Sequence, residues 1–309
     1  MRQGYEDWEA GRDLPVSWQN TLNAGVRELQ SNRSSGASEL ARRALQILAD
    51  CAKHWPEESA AQLASDLSHY ATTLASTRPS MTPLQTLLAR WQAQWVALSE
   101  TDAETARSRA IAIAQDLERE SRQAVERVAW AASQRIGGNC TILTHSFSST
   151  VVATFAHLRD RHVRAIVSEA RPLCEGYTLA RQLAVGGIPV SLITDAQLGL
   201  FVEQADLVLV GADTVLADGA VVNKAGTYLL ALAAHTQQKP VYVAYESFKY
   251  RPAELGAVEL EEMAPIELGV PSDVPVEVRN IYFDITPPQW VTGWIDEHGY
   301  RPYQEWDGT

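Results

Sequence analysis

The sequence predicts an α/β protein: an amino-terminal helical domain followed by a doubly wound parallel sheet. Three observations carry this. Apolar residues recur at helical spacing up to about residue 135, a Gly137-Gly138 pair then breaks the pattern, and beyond it short Val/Ile/Leu-rich runs alternate with longer stretches. Those stretches, of 12 or more residues, are long enough for the helical crossovers that parallel strands require. The expected domains are therefore residues 1–136, helical, and 137–309, α/β.

Leu40, Ala44 and Leu48 share one helix face. Leu63, Leu67, Tyr70 and Leu74 share another, as do Leu84, Leu88, Trp91, Trp95 and Leu98. Thr77-Arg78-Pro79-Ser80 and Thr82-Pro83 interrupt the pattern between these last two. Residues 101–135 read as one long helix, with Ile111, Leu117, Val125 and Val128 turned inward. Candidate strands follow at 140–144, 163–168, 188–194, 206–210 and 240–245, continuous apolar runs of the kind a sheet covered on both faces displays. Residues 251–280, rich in Pro and Glu, read as a surface segment, and 281–302 as a terminal element.

Composition narrows the function. The 309 residues carry 38 Asp and Glu against 26 Lys and Arg, a formal charge of −12 that opposes binding to a nucleic-acid backbone. Apolar residues at 46% and charged residues at 21% exclude disorder of the whole chain. No apolar run reaches membrane-spanning length and the amino terminus does not read as a signal peptide, so a cytoplasmic protein without membrane contact is expected. Cys51, Cys140 and Cys174 are too scattered for a disulfide framework, and no metal-ligand spacing occurs. GxGxxG, GxxxxGK[ST] and GxSxG are all absent. Neither metal nor cofactor is expected.

Open α/β sheets bind ligands beyond the carboxyl ends of their strands. Here those ends deliver Thr144-His145-Ser146, then Glu169 and Arg171, then Thr194 and Asp195. The fourth strand leads to Gly211-Ala212-Asp213 and Asn223-Lys224-Ala225-Gly226-Thr227, the fifth to Glu246-Ser247-Phe248-Lys249. Each residue alone has a plain explanation: Asp195 a helix cap, Asn223 a turn residue, Thr227 a cap, His145 a structural histidine. Their convergence on one edge, with two of only four lysines, points to an anion site. The helix start after Gly226-Thr227 would suit a phosphate, and mixed carboxylates and lysines suit proton transfer on a phosphorylated small molecule.

The blocks ADLVLVGADTVLADGAVVNKAGTYLLALAA (205–234), YESFKYRP (245–252) and NIYFDITPPQWVTGWIDEHG (280–299) resemble one superfamily. It holds ribose-1,5-bisphosphate isomerases, methylthioribose-1-phosphate isomerases and the alpha, beta and delta regulatory subunits of the exchange factor for eukaryotic initiation factor two. ILTHSFSST (142–150), SEARPLCEG (168–176) and SSGASELARRAL (34–45) match its earlier blocks.

The resemblance implies a Rossmann-like second domain, homo-oligomers (dimers, in some members hexamers) and a sugar phosphate held between domains. It implies acid–base roles for Asp213 and for the position of Ser146, where the isomerases carry cysteine. It also implies substrate contacts at Gly36, Ala37, Arg171, Asn223, Lys224 and Lys249. The isomerases place an arginine directly before the Gly-Ala pair. This chain has Ser35 there, with Arg33 nearest.

A serine hydroxyl is a far weaker acid than a thiol. Cys174, after the second strand, is the one thiol on the expected edge, since Cys140 precedes the first strand at its opposite end. SFS (146–148) and SSGASEL (34–40) are closer to the exchange-factor alpha subunit, whereas Asp213 and Arg171 follow the isomerases. Two readings stand: an aldose–ketose isomerase of a sugar phosphate, and a non-catalytic sensor of a sugar phosphate or nucleotide. A direct translation-factor role is a third.

Overall fold

The computed structural model describes residues 16–32, 35–55, 59–95 and 102–307. Arg33 and Leu98 lie outside them. The chain divides into two compact units, Met1–Ser121 and Arg122–Thr309.

The first unit is built from α1 (Val16–Ser31), α2 (Ala37–His54), α3 (Ala60–Ala75), α4 (Thr82–Trp95) and the first part of α5 (Ala103–Arg135). Leu40, Leu48, Leu63, Leu67, Tyr70, Leu74, Leu84, Leu88, Trp91 and Trp95 are all buried, as their spacing requires. Buried aromatic polar atoms find partners: Trp91 Nε1 donates to Ala110 O at 2.9 Å and Tyr70 Oη to Leu22 O at 3.0 Å. The helix α1 has no counterpart in the predicted elements. Among its described side chains the buried stripe is Leu22, Gly25 and Leu29, and the glycine contributes closeness instead of hydrophobicity. A Cβ at Gly25 would stand 2.5 Å from Tyr70 Oη.

In the second unit a seven-stranded sheet runs in the order β11-β10-β7-β4-β1-β2-β3. Its strands are β1 (Thr141–His145), β2 (Arg164–Ser168), β3 (Val190–Ile193), β4 (Leu207–Val210), β7 (Val241–Ala244), β10 (Gly293–Asp296) and β11 (Gly299–Pro302). All neighbours are parallel except β10 and β11. All five predicted strands are present, and the last two form from the terminal element. Alternate residues face opposite cores. On β4, Leu207 and Leu209 pack with residues of α5, α6 (Ser149–Leu158) and α7 (Glu175–Val185). Val208 and Val210 pack with residues of α8 (Leu198–Phe201) and α9 (Thr227–Thr236). The central strands β1, β2, β4 and β7 are covered on both faces, which is why they read as unbroken apolar runs, whereas the edge strand β3 exposes Ser191 and Leu192.

A second sheet, in the order β8-β5-β6-β9, was not predicted. It joins β5 (Thr214–Leu216), β6 (Val221–Lys224), β8 (Tyr250–Arg251) and β9 (Phe283–Thr286). Between β5 and β6, Leu216 N donates to Ala220 O across Asp218-Gly219, and Gly219 has φ +87°. An Asp-Gly pair flanked by apolar residues is a hairpin signal. Asn223 and Lys224 thus belong to a strand, so Asn223 is not the turn residue of its plain explanation.

Candidate functional site at the carboxyl edge of the sheet

Strands β1 and β4 are neighbours, and the chain leaves them in opposite directions, to β2 on one side and to β7 on the other. This is the switch point where doubly wound sheets open a crevice. The parallel register pairs Leu143 with Val208, so Ser146 and Gly211 leave the sheet side by side. Ser146 is buried and has φ +66°, uncommon for a residue with a side chain, so the chain turns sharply as β1 ends. Ser148 then caps α6, its Oγ accepting from Val151 N at 3.3 Å. The two exits are so close that a Cβ at Gly211 would lie 2.5 Å from Ser148 Oγ.

Asp213, partly buried, follows at the start of the β5–β6 hairpin. Its backbone N donates to Val222 O at 2.9 Å, which sets Asp213 beside Asn223. The side chain of Asn223 is engaged in the turn into α9. Asn223 Nδ2 donates to Thr227 Oγ1 at 2.9 Å, and that hydroxyl donates to Lys224 O at 2.7 Å.

His145 ties these parts together. Its Nδ1 lies 2.5 Å from Ser168 Oγ, at the end of β2, and its Nε2 lies 2.9 Å from Ala225 O. Burial pushes its pKa down, although the Ala225 carbonyl, Asp195 and Glu175 oppose the shift, so the ring is neutral. A carbonyl only accepts, so Nε2 carries the proton and Nδ1 accepts from the Ser168 hydroxyl. A Cβ at Gly226 would stand 2.9 Å from His145 Nε2, and Gly226 has φ +112°; only glycine suits this turn. His145 is structural, the plainer of its two explanations.

The amino terminus of α9 does not offer a vacant phosphate site. Asp284 reaches it from β9, its Oδ2 accepting from Gly226 N at 2.7 Å and Tyr228 N at 3.1 Å. These are the unpaired amides that draw an anion to a helix start, and a side-chain carboxylate takes them. Burial drives the Asp284 pKa up to about 6, with the two amides opposing the shift. Its Oδ1 is buried without a hydrogen-bond partner.

Both lysines of the edge are neutralised. Lys224 is 5% exposed, its Nζ 2.7 Å from Glu175 Oε1, and its ammonium stands over the rings of Tyr282 and Phe283 at 4.3 and 5.6 Å. Lys249 Nζ lies 2.7 Å from Oε2 of Glu246, a fully buried carboxylate that also accepts from Thr150 Oγ1 at 2.8 Å. Burial pushes the Glu246 pKa up, but the Lys249 ammonium overrides it, and the group ends below the ordinary range. Buried ammonium groups demand such partners, so each of the two lysines expected to attract an anion faces a carboxylate.

Arg171 is exposed, its Nη2 donating to Leu268 O at 3.2 Å. The backbone amides of Ala170 and Arg171 donate to the two oxygens of Asp195 at 2.8 and 2.7 Å, which makes Asp195 a loop clamp. Cys174 directs its thiol to Pro172 O at 3.8 Å. Gly36 and Ala37 belong to the first unit, where Gly36 is the N-cap of α2 and Ala37 its buried first residue.

The structure therefore joins His145, Asp213, Asn223 and Lys224 through hydrogen bonds and adjacent strands. Lys249 is committed to Glu246, and Arg171 to Leu268. Glu175, Tyr282 and Asp284 were missed. Glu175 lies within the SEARPLCEG block, three residues from Pro172, and Asp284 within the terminal block. Among the described residues, no three His, Cys, Asp or Glu side chains gather to hold a metal, and no helix is long and apolar enough to cross a membrane.

Residues 33–302 match the initiation factor 2 subunit family. A Pyrococcus horikoshii relative named translation initiation factor eIF-2B subunit 2-like is 44% identical over 184 residues, 59% of this chain. That match spans 64% of the relative, less than two thirds of its length. A ribose 1,5-bisphosphate isomerase from Archaeoglobus fulgidus is 31% identical over 286 residues, covering 90% of this chain and 88% of the relative. Among solved structures, Pyrococcus horikoshii translation initiation factor eIF-2B superposes with a TM-score of 0.79 at 33% identity, covering 93% of this chain and 97% of that one. The chain belongs to the initiation factor 2 subunit family.

Proposed function

We propose that this family member is an aldose–ketose isomerase acting on a ribose or thioribose 1-phosphate or a ribose 1,5-bisphosphate type of sugar. One observation carries the reading: Asp213 stands at the β1/β4 switch point, beside Asn223 on the hairpin and on the same sheet edge as Ser146. A relative aligned over most of the chain bears the name ribose 1,5-bisphosphate isomerase.

The reaction opens the ring between C1 and its oxygen, moves a hydrogen from C2 to C1, and leaves a carbonyl at C2. Asp213 is the group assigned to the ring oxygen, protonating it as the bond breaks and later accepting the proton of the C2 hydroxyl. The Ser146 hydroxyl orients the reacting carbons. Asn223 and Lys224 line the edge beside Asp213, and Arg171 and Lys249 remain candidate phosphate contacts if a ligand displaces their present partners.

Incubation with ribose 1,5-bisphosphate, methylthioribose 1-phosphate and ribose 1-phosphate tests the proposal, with ketose followed by NMR. Deoxyribose 1-phosphate, which lacks the 2-hydroxyl, is the negative control. Ketose is expected from at least one of the three. If none yields it, the enzyme reading fails.

The sensor reading is favoured by a different observation: a hydroxyl at position 146, with both edge lysines already paired. It requires micromolar binding of a sugar phosphate or nucleotide without turnover, weakened at least tenfold by Lys224→Ala in calorimetry.

A further inference from the structure

We propose that Glu175 is the second proton-transfer group of the site, the base that carries hydrogen from C2 to C1. The inference rests on the isomerase reading. Isomerisation needs a base at C2 besides the group that serves the ring oxygen, and an alcohol side chain is a poor proton carrier near neutral pH.

The other carboxylates near this edge are committed to structure. Both oxygens of Asp195 receive backbone amides. Glu246 is fully buried against Lys249 and Thr150. Glu169 accepts from the Tyr177 hydroxyl at 3.1 Å. Asp284 also has an unpaired oxygen, but its other oxygen holds the start of α9.

Glu175 shares with Asp284 an unpaired oxygen, but its other oxygen meets a lysine side chain instead of the amides of a helix start. Its Oε1 meets Lys224 Nζ at 2.7 Å, while its Oε2 is buried without any hydrogen-bond partner. A buried acceptor without a partner costs stability and calls for an explanation, and a catalytic role supplies one. The position is also apt. Glu175 opens α7, and its neighbour Gly176 is pressed so close to β2 that a Cβ there would lie 1.8 Å from Ser168 O. Ser168 is the partner of His145, the residue before Ser146. Through Lys224, Glu175 adjoins the strand whose Asn223 stands beside Asp213. Glu175 and Asp213 thus both follow carboxyl ends of the large sheet, Glu175 beyond β2 and Asp213 beyond β4.

The step balances without a co-reactant. Protonated Asp213 gives its proton to the ring oxygen as the C1–O bond breaks. Glu175 takes the proton from C2, and the freed electron pair forms the C1–C2 double bond. Glu175 then returns that proton to C1 while the C2 hydroxyl proton passes to Asp213 and the carbonyl forms. Both side chains regain their starting states.

The test combines Glu175→Gln, Glu175→Asp and substrate deuterated at C2. Wild-type protein is expected to release part of the label to solvent, as a base that exchanges with water does. Glu175→Gln keeps a hydrogen bond to Lys224 but accepts no proton, and should lose at least about 100-fold in kcat with KM within a few-fold. Glu175→Asp keeps the ion pair and fold while drawing the base back by one methylene, and should lose about tenfold or more in kcat. Circular dichroism checks that each variant is folded, and the aspartate variant decides the matter if the glutamine one is not. Wild-type kcat in either folded variant, or complete retention of the label at C1, overturns the inference and leaves the isomerase reading standing. A wild-type protein that turns over none of the sugars overturns both.

Discussion

His145 and Asp284 hold one turn from opposite sides. The imidazole Nε2 donates to Ala225 O at 2.9 Å, while the carboxylate accepts from Gly226 N at 2.7 Å and Tyr228 N at 3.1 Å. One residue comes from β1 of the large sheet and the other from β9 of the small one. The turn between them follows directly on Asn223 and Lys224, so the orientation of these side chains depends on both grips.

The first prediction concerns His145. Replacing it by alanine strands the Ala225 carbonyl and the Ser168 hydroxyl in a buried setting and opens a cavity, a loss of about 3 kcal/mol. Urea unfolding should show a lower midpoint at unchanged slope. The imidazole is neutral in the fold and its pKa is lowered by burial. Its contribution is therefore complete above the unfolded value of about 6.5 and fades as pH falls below it. The stability gap between wild type and variant should shrink on acidification.

Asp284 has the opposite sign. Its pKa rises from 3.8 to about 6 on folding, so the folded state binds the extra proton between those values. Stability from this group is full below 3.8 and is lost as pH rises through about 6. Asn at this position offers an uncharged acceptor to the same two amides. Asp284→Asn should gain on wild type as pH rises from 4 to 7, by about 2 kcal/mol, with the gain confined to that window. A pH series of chemical denaturation, with both proteins side by side, measures it; parallel curves would contradict the assignment of the shift to Asp284.

The large sheet was legible because its strands lie between two cores, so Leu207-Val208-Leu209-Val210 reads as one apolar word. The small sheet was not. Its strands are two to four residues long, and Asn223 and Lys224 on β6 look like loop residues until Asp284 and Phe283 are seen opposite them. The position of Asp213 and Asn223 at this edge was legible from the strand ends and the motif. The partners of Lys224 were not, because Glu175 and Tyr282 lie 49 residues before it and 58 after. Which carboxylate neutralises a buried lysine is a fact of tertiary packing that no local pattern encodes. The same limit misled the expectation of a vacant helix start: the capping carboxylate arrives from Asp284, on a strand of another sheet.

The Lys249–Glu246 pair supplies the third prediction. Glu246 is fully buried, so Lys249→Met leaves a carboxylate without its countercharge, at a cost of about 3–5 kcal/mol. The double variant Lys249→Met, Glu246→Gln should recover most of that loss, because Gln can still accept from Thr150. The Glu246 pKa lies below 4.5 in the fold, so the pair stabilises above that value and its contribution is lost as pH falls through the folded value. A double-mutant cycle by denaturation at neutral pH gives the coupling. Additive single effects would show that Lys249 is not held by Glu246 and is available to a ligand.

Asp213 and Ser146 should separate kinetically. The carboxyl is assigned a proton that moves, the hydroxyl only a position. Asp213→Asn preserves shape and hydrogen bonding but cannot exchange a proton, so kcat should fall by about 10³-fold or more while KM changes little. Ser146→Ala removes one hydroxyl at a buried, positive-φ site and should lower kcat about tenfold, near 1.4 kcal/mol, with the pH profile unchanged in shape. Steady-state kinetics from pH 5 to 9 on the preferred sugar phosphate distinguishes the two roles. If Ser146→Ala instead abolishes turnover and removes a limb of the pH profile, the hydroxyl is itself transferring a proton. Retention of wild-type kcat by Asp213→Asn would remove the carboxyl from the reaction altogether.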